Sequence, residues 1–413
     1  MTLPPPQLSR PRPARHQPPH AQPPPTPGAL FRDRARSWLG PADREVLWLY
    51  LLTRLSLWVT AYCTRWLFPG RSGTREPDPV LASFEQWDWH HYLQIARDGY
   101  FPDQSGPAQG GDRDNREAFF PGFPLMLRAV HVVVPHWTAA GLLISFVAGA
   151  VAVLALARLA RRYLPDARGE RRTVLFFLLS PCAVFLAAGY TEALFLSLAL
   201  PAWLAALRHS WPLAAGLTAL ATTVRVSGLF LAAAVALHFL LVARTRAHWR
   251  ALPWLALPAA PAALYAWYLH AHTGDWLAWN HAQERGWHRT FHAPWDTWSV
   301  TWNSAFDRLH GTGYAFMFQA ELVTMVVGLV LCVVLVRRRR WPEAAYIGLT
   351  LAALGTSYWY MSIPRSTLLW WPLWIGLASW SLRRPRLTTV WLCLVGPLST
   401  VFAMTFLSGR WTG

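Results

Sequence analysis

Long apolar runs alternate with short polar connections over most of this chain. A membrane-crossing helix needs about 20 mostly apolar residues, and on that measure the pattern predicts eleven spans, near 45–66, 139–157, 173–188, 190–207, 211–225, 228–243, 252–269, 321–336, 342–361, 366–382 and 387–406. The span at 211–225 is short. The run at 119–134, with its paired prolines, predicts a re-entrant or interfacial helix. Two connections are long, 67–118 and 270–320. Residues 1–36 are low in complexity, with Pro4-Pro5-Pro6, Pro18-Pro19 and Pro23-Pro24-Pro25 among polar residues and no apolar core, which reads as a disordered cytoplasmic tail and not a cleaved signal peptide. The expected fold class is an all-α polytopic membrane protein, occupying residues 37–413.

Composition agrees. Of the 413 residues, 54% are hydrophobic and 14% charged, against about 25% charged in a soluble domain. The mean hydropathy is +0.21. The 26 tryptophans suit a membrane interface. All 38 basic residues are arginines, and with abundant Ala and Pro this points to a GC-rich genome and hence a bacterium. A net charge of +17 can mean nucleic-acid binding. Here the arginines sit in short runs between spans, so they read as orientation signals and no nucleic-acid partner is expected. Cys63, Cys182, Cys332 and Cys393 are scattered in or beside apolar runs without CxxC spacing, as small buried side chains would be.

The arginines also orient the spans. One connection holds Arg158, Arg161, Arg162, Arg168, Arg171 and Arg172; others hold Arg244, Arg246 and Arg250, then Arg337 to Arg340, then Arg383, Arg384 and Arg386. With eleven spans and the N-terminus inside, the positive-inside rule places every one of these in the cytoplasm. Both long loops then lie outside, and the first carries nine Asp or Glu against five Arg.

Four polar clusters interrupt the apolar pattern, all at the outer face under this scheme: Trp87-Asp88-Trp89-His90-His91, Gly189-Tyr190-Thr191-Glu192, Val224-Arg225-Val226-Ser227-Gly228 and Ser362-Ile363-Pro364-Arg365. Ionisable groups near membrane depth are costly and mark cavities or reactions. A carboxylate among aromatics suits a general base acting on a hydroxyl. Arginines from different helices suit a phosphate, and Trp and Tyr faces suit sugar C–H surfaces. Together these parts read as sugar transfer from a lipid-phosphate donor at an outward-facing, lipid-accessible site.

Each cluster also has a plainer reading. Asp88 suits an N-cap of a helix starting at Trp89. Glu85 and Asp98 fit solvated faces of that helix. Arg225 can snorkel to the interface, and Glu192 can meet the exposed amides at the start of a span. Arg54, inside the first span, has pairing, snorkelling and catalysis as equal readings. The second loop, with Trp276, Trp279, Trp287, Trp295, Trp298 and Trp302, reads as an interfacial belt. His288 and His292 have helical spacing but no third ligand. His90 and His91 point about 100° apart on a helix, and no Asp-X-Asp motif lies beside Asp88, although Asp112-Arg113-Asp114 has that pattern. No metal ligands are assigned; a divalent metal stays open without support, and no cofactor is expected.

At these residues the sequence resembles the PIG-V family, the second mannosyltransferase of glycosylphosphatidylinositol assembly. The matching stretches are Trp87-Asp88 with Ile95-Ala96-Arg97-Asp98-Gly99-Tyr100, then Phe119-Phe120-Pro121-Gly122-Phe123-Pro124 and Leu179-Ser180-Pro181. They continue with Val184-Phe185-Leu186-Ala187-Ala188-Gly189-Tyr190-Thr191-Glu192-Ala193-Leu194-Phe195 and Ala221-Thr222-Thr223-Val224-Arg225-Val226-Ser227-Gly228. The resemblance implies a GT-C type membrane glycosyltransferase with a catalytic first extracytoplasmic loop, using a polyprenyl-phosphate mannose donor and a lipid or glycan acceptor. It implies Asp88 as base and inversion at the anomeric carbon, with Arg225 and Arg365 on the departing phosphate. Trp87, His90, His91, Tyr190 and Glu192 are then the expected sugar or acceptor contacts. Membrane lipids are the expected surroundings, and the bacterial plasma membrane the expected location. A lipid-linked sugar flippase or transporter is the competing reading, although neither an internal repeat nor midplane polar groups favour it; transfer of another sugar from the same carrier is a third.

Overall fold

In the computed structural model the described residues are 40–68, 79–102, 115–164 and 166–412. Residues 1–36 and Asp112-Arg113-Asp114 fall outside them. Secondary structure among the described residues is helical throughout. The first helix, α1 (Pro41–Leu67), has Asp43 in its first turn and Arg65 in its last, matching the helix dipole. Then come α2 (Asp88–Asp98), α3 (Gly122–His131), α4 (Trp137–Tyr163) and α5 (Ala167–Leu178). Helices α6 (Thr191–Leu207), α7 (Trp211–Val224), α8 (Ser227–Val242) and α9 (Ala259–Thr273) follow. The chain closes with α10 (Ala278–Trp287), α11 (Pro294–Phe306), α12 (Thr312–Arg337), α13 (Trp341–Gly355) and α14 (Trp371–Arg383), and with α15 (Arg386–Leu407), which has a π-helical middle.

Four of these are long and apolar enough to cross a membrane, namely α1, α4, α12 and α15; α6, α7 and α8 are shorter apolar helices. The outside of the molecule bears this out. Leu55, Trp66, Val323 and Val330 are each more than half exposed, while Ser145, Thr218, Thr222 and Glu321 are fully buried. A soluble protein has the reverse arrangement, and an apolar surface this extensive is what lipid contact requires.

The structure departs from the expected spans at definite places. The run 173–188 is broken: α5 stops at Leu178, Pro181 follows, and a 3₁₀ turn at Ala183–Leu186 leads to the rim of α6. Proline lacks the donor that a continuing helix needs, and unbroken hydropathy hid the stop. The run 366–382 is also broken, into the short turn Ile363–Ser366, a 3₁₀ turn Thr367–Leu369, and α14 with its proline in the first turn. Helix α2 starts at Asp88 rather than Trp89, and α12 at Thr312 rather than near 321. The segment expected to be re-entrant forms the ten-residue α3, packed on α2 and α4.

Ala42–Gly413 packs as one compact unit. Helix α6, apolar on nearly every side, lies against α4 and α7; α8 packs on α7 and α13, and α14 on α5. Helix α4 gives the unit a polarity. Its Trp137 end carries Gly141, whose Cα faces the Trp89 indole beside Asp88. At its other end Arg158 meets Asp43 at 3.1 Å and Arg161 meets Glu170 at 3.0 Å. A helix of 27 residues is about 40 Å long, so the arginine-rich connection and the Asp88 region stand at opposite ends.

Candidate active site

The site begins with a backbone that a side chain ordinarily avoids. Trp87 adopts φ 49°, ψ −116° immediately before α2. For a residue with a Cβ such a conformation costs on the order of 1–3 kcal/mol and persists only where its surroundings impose it. Here the surroundings are explicit. The Trp87 indole donates to the Arg410 carbonyl at 3.3 Å, and the Tyr190 hydroxyl donates to the Gln86 carbonyl at 2.5 Å. The fully buried Trp89 indole sits between Gly141 and Gly189, where an added Cβ would stand 2.6 and 2.5 Å from the ring. Clamped on both sides, the first turn of α2 aims Asp88 inward.

What it aims at is a chain of alternating charges. Asp88 Oδ2 accepts from Arg365 Nη1 at 2.7 Å, and Arg365 Nε donates to Glu192 Oε1 at 2.5 Å. The same Glu192 oxygen accepts from Arg225 Nη1, which also donates to the Thr191 hydroxyl at 2.6 Å. The four charges come from the first turns of α2 and α6, the end of α7 and the turn after α13. Arg365 also lies over the rings of Phe185 and Tyr190, with its Cζ 4.6 and 4.8 Å from their centres, a favourable cation–π arrangement. Its own turn is held by Glu321 of α12. Glu321 Oε1 accepts from the Ser362 amide at 2.7 Å, and Oε2 from the Ile363 amide at 2.9 Å.

A cavity of about 800 Å³ opens over this chain. Trp87, Asp88, His90, His91, Tyr190, Arg225 and Arg365 all line it. Glu192 does not: it is fully buried behind the two arginines, and its Oε2 has no hydrogen-bond partner among the described residues. His91 stacks on Phe119 with ring centres 4.8 Å apart, while His90 is exposed at the mouth. Burial, seconded by the charge of Asp88, pushes the Tyr92 phenol upward, so it stays neutral in the wall. The four clusters separated along the sequence therefore meet around one space.

Another part of the wall comes from the second loop, whose Trp279 and Trp287 read in the sequence as part of an interfacial belt. Trp279, Gln283, Trp287 and Arg289 line it, from α10 and the segment after it, and Trp411 and Thr412 close one side. The Arg289 amide donates to the Gln283 carbonyl at 3.4 Å, but its guanidinium has no ion-pair or hydrogen-bond partner among the described residues. Burial pulls its pKa down to about 10, helped by the like charge of Arg225. Four arginines line the cavity. Arg285 lies 3.8 Å from Glu117, Arg225 and Arg365 are paired with Glu192 and Asp88, and Arg289 is left as the uncompensated positive charge. An entering anion relieves that imbalance. Glu321 carried a readable signal, a lone carboxylate in an apolar run; Arg289, in an aromatic-rich loop, carried none.

No three His, Cys, Asp or Glu side chains come together in a metal-binding arrangement among the described residues. Asp88 pairs with a guanidinium rather than a second carboxylate.

Residues 76–246 match the family described as Mannosyltransferase (PIG-V). The match takes in Asp88, Glu192 and Arg225. The chain is 32% identical over 212 residues to the mouse (Mus musculus) GPI alpha-1,6-mannosyltransferase 2, covering 48% of this chain and 40% of that protein. It is 34% identical over 184 residues to the Cricetulus griseus protein of the same name, covering 42% and 34%. The chain thus spans about two fifths of the length of the mouse relative. Among solved structures it is similar to the oligosaccharyltransferase of Archaeoglobus fulgidus, at 13% identity and a TM-score of 0.40, over 87% of this chain and 53% of that one.

Proposed function

With residues 76–246 similar to the PIG-V mannosyltransferases, we propose that this chain is a glycosyltransferase that moves mannose from a polyprenyl-phosphate donor to a hydroxyl of a lipid or glycan acceptor. One observation carries the reading. A carboxylate and four guanidiniums, those of Arg225, Arg285, Arg289 and Arg365, come from segments scattered along the sequence and line one cavity large enough for a sugar and its phosphate.

In this reading the donor phosphate sits against Arg289, Arg225 and Arg365, with the sugar on the side of Trp87, His90, His91 and Tyr190. The acceptor hydroxyl approaches Asp88 Oδ1, because Oδ2 is already engaged by Arg365. As the hydroxyl oxygen bonds to the anomeric carbon, its proton passes to Asp88 and the bond from that carbon to the phosphate oxygen breaks. The electron pair leaves on the polyprenyl phosphate, where the arginines stabilise the developing charge. Attack from the face opposite the leaving group inverts the configuration, turning a β-phosphomannose into an α-mannoside. Glu192, behind the arginines, sets their spacing, and direct sugar contacts fall to the side chains on the cavity wall.

The wider placement follows the polarity of α4. We take the arginine end as cytoplasmic, which puts the Asp88 end outside. The eleven-span scheme, with several spans formed by short or broken helices, fits that orientation, and the inner membrane of a bacterium is the proposed location.

The test uses purified protein in lipid, radiolabelled polyprenyl-phosphate mannose and a host lipid extract. Label entering a new product with the wild type and not with Asp88→Asn supports the transferase and yields the acceptor by mass. Transfer that persists in Asp88→Asn shows that Asp88 is not the base. If neither protein transfers label while both bind the donor equally, the catalytic reading of Asp88 fails under these conditions, and donor translocation becomes the assay of the competing flippase.

A further inference from the structure

Arg54 stands near the middle of α1, among apolar residues that face lipid. It is 6% exposed, and its Nε and Nη1 find no hydrogen-bond acceptor among the described residues. Its Cζ lies over the Tyr50 ring, 5.2 Å from the ring centre. A buried cation with unsatisfied donors is costly inside a membrane protein and calls for a counter-charge.

Two spaces adjoin this guanidinium. One of about 60 Å³ is also lined by Ser56, Ser399 and Thr400, whose hydroxyls make no side-chain hydrogen bond among the described residues. The other, of about 200 Å³, is apolar and is lined by Trp58, Leu143 and Phe146, each more than two fifths exposed on the lipid-facing surface. A guanidinium with free hydroxyls on one side and a lipid-facing groove on the other is complementary to one kind of molecule: an anionic head attached to a long hydrocarbon chain.

We propose that Arg54, with Ser56, Ser399 and Thr400, forms a second seat for the phosphate of an anionic lipid, separate from the large cavity. Its position gives the seat a use. Ala183 and Val184 line the smaller space by Arg54, while Phe185 of the same turn lines the large cavity. One turn of chain therefore divides a membrane-side phosphate seat from the reaction space. A polyprenyl phosphate waiting to enter or leave fits there; that use rests on the transferase reading, and the seat itself does not.

The experiment uses the full chain in nanodiscs of phosphatidylcholine, with added polyprenyl phosphate or, separately, phosphatidylglycerol. Retained phosphate lipids are counted by native mass spectrometry for the wild type, Arg54→Met and the double variant Ser399→Ala/Thr400→Val. The wild type is expected to retain one phosphate lipid more than Arg54→Met. The double variant should bind it about tenfold more weakly, as loss of charge-assisted hydrogen bonds implies. Equal retention and affinity in all three proteins overturns the seat. If Arg54→Met does not fold, the double variant decides alone, and unchanged affinity in it overturns the proposal. Retention of both lipids identifies a general anionic-lipid site, and retention of polyprenyl phosphate alone a carrier site; either supports the seat. Mannose transfer is measured on the same preparations. Intact transfer with unchanged lipid binding removes the seat only, whereas absent transfer with Arg54-dependent binding removes the transferase reading only.

Discussion

Asp88 and Arg365 stand 277 residues apart in the chain and meet at 2.7 Å. Arg365 does two things at once from that position: Nη1 holds the carboxylate of Asp88, and Nε holds Glu192. A lysine carries the same charge but is a single point, without the fork that spans two carboxylates. Arg365→Lys is therefore expected to lower kcat for mannose transfer by about 10- to 100-fold, the equivalent of one lost charge-assisted hydrogen bond. Steady-state kinetics on the reconstituted protein checks this, and a lysine variant with wild-type kcat removes the bridging role.

Arg289 is the uncompensated cation of the cavity, and its effect should fall on donor binding. Arg289→Gln is expected to weaken polyprenyl-phosphate mannose about tenfold, the scale of one charge-assisted contact to phosphate. The proton transfer at Asp88 should be little changed, so KM moves more than kcat. Donor titration at two ionic strengths adds a second readout, because the variant should show a shallower loss of affinity with salt.

Glu321 touches no cavity wall; it holds the turn that carries Arg365, by accepting two backbone amides. Glu321→Gln keeps one acceptor oxygen and leaves one amide facing an NH₂ group. The expected cost is about 1.5–3 kcal/mol in stability, together with a lowered kcat at unchanged donor affinity. Glu321→Ala should be worse on both counts. Thermal unfolding in detergent and single-turnover transfer measure the two effects, and a stable Gln variant with normal kcat rules out the positioning role.

Gly189 and Gly141 leave the room in which the Trp89 indole lies. Gly189→Ala brings a Cβ within 2.5 Å of that ring, so Trp89 must move and the first turn of α2 with it. Overpacking of this kind costs about 1–3 kcal/mol, and transfer should fall as Asp88 loses its aim. Combining it with Trp89→Phe, which shortens the ring, should restore part of the stability and the activity. No recovery in the double variant means that the damage lies elsewhere in the 183–190 turn.

The helical class and the four long helices were legible because lipid demands an unbroken apolar run of a set length, and α4 and α12 supply one. The breaks after Leu178 and around Ile363–Ser366 were not legible from hydropathy, since Val184, Phe185 and Leu186 are as apolar in a 3₁₀ turn as in a helix; Pro181 and Pro364 were the available signals. Seven of the eight expected site residues line the cavity because charge is costly beside lipid, so that Asp88, Arg225 and Arg365 stand out against their surroundings. Glu192 stood out too, yet burial put it behind the wall, a distinction of a few ångströms that spacing does not encode. Arg54 stood out as a lone charge in an apolar run, Glu321 offered the same signal and was not singled out, and the surroundings of both became readable only in three dimensions.

The alternating charges also set an order of events during synthesis. Translation delivers Asp88 first, then Glu192, and Arg225 follows Glu192 by 33 residues. Arg365 arrives 173 residues after Glu192, so for most of its emergence the chain holds a carboxylate at Asp88 whose partner has not been made. Insertion must tolerate that unpaired charge, or keep the 84–100 segment wet, until only about the last eighth of the 413-residue chain remains to be made. A nascent chain halted before Arg365 would be left with a carboxylate at Asp88 lacking this counterion.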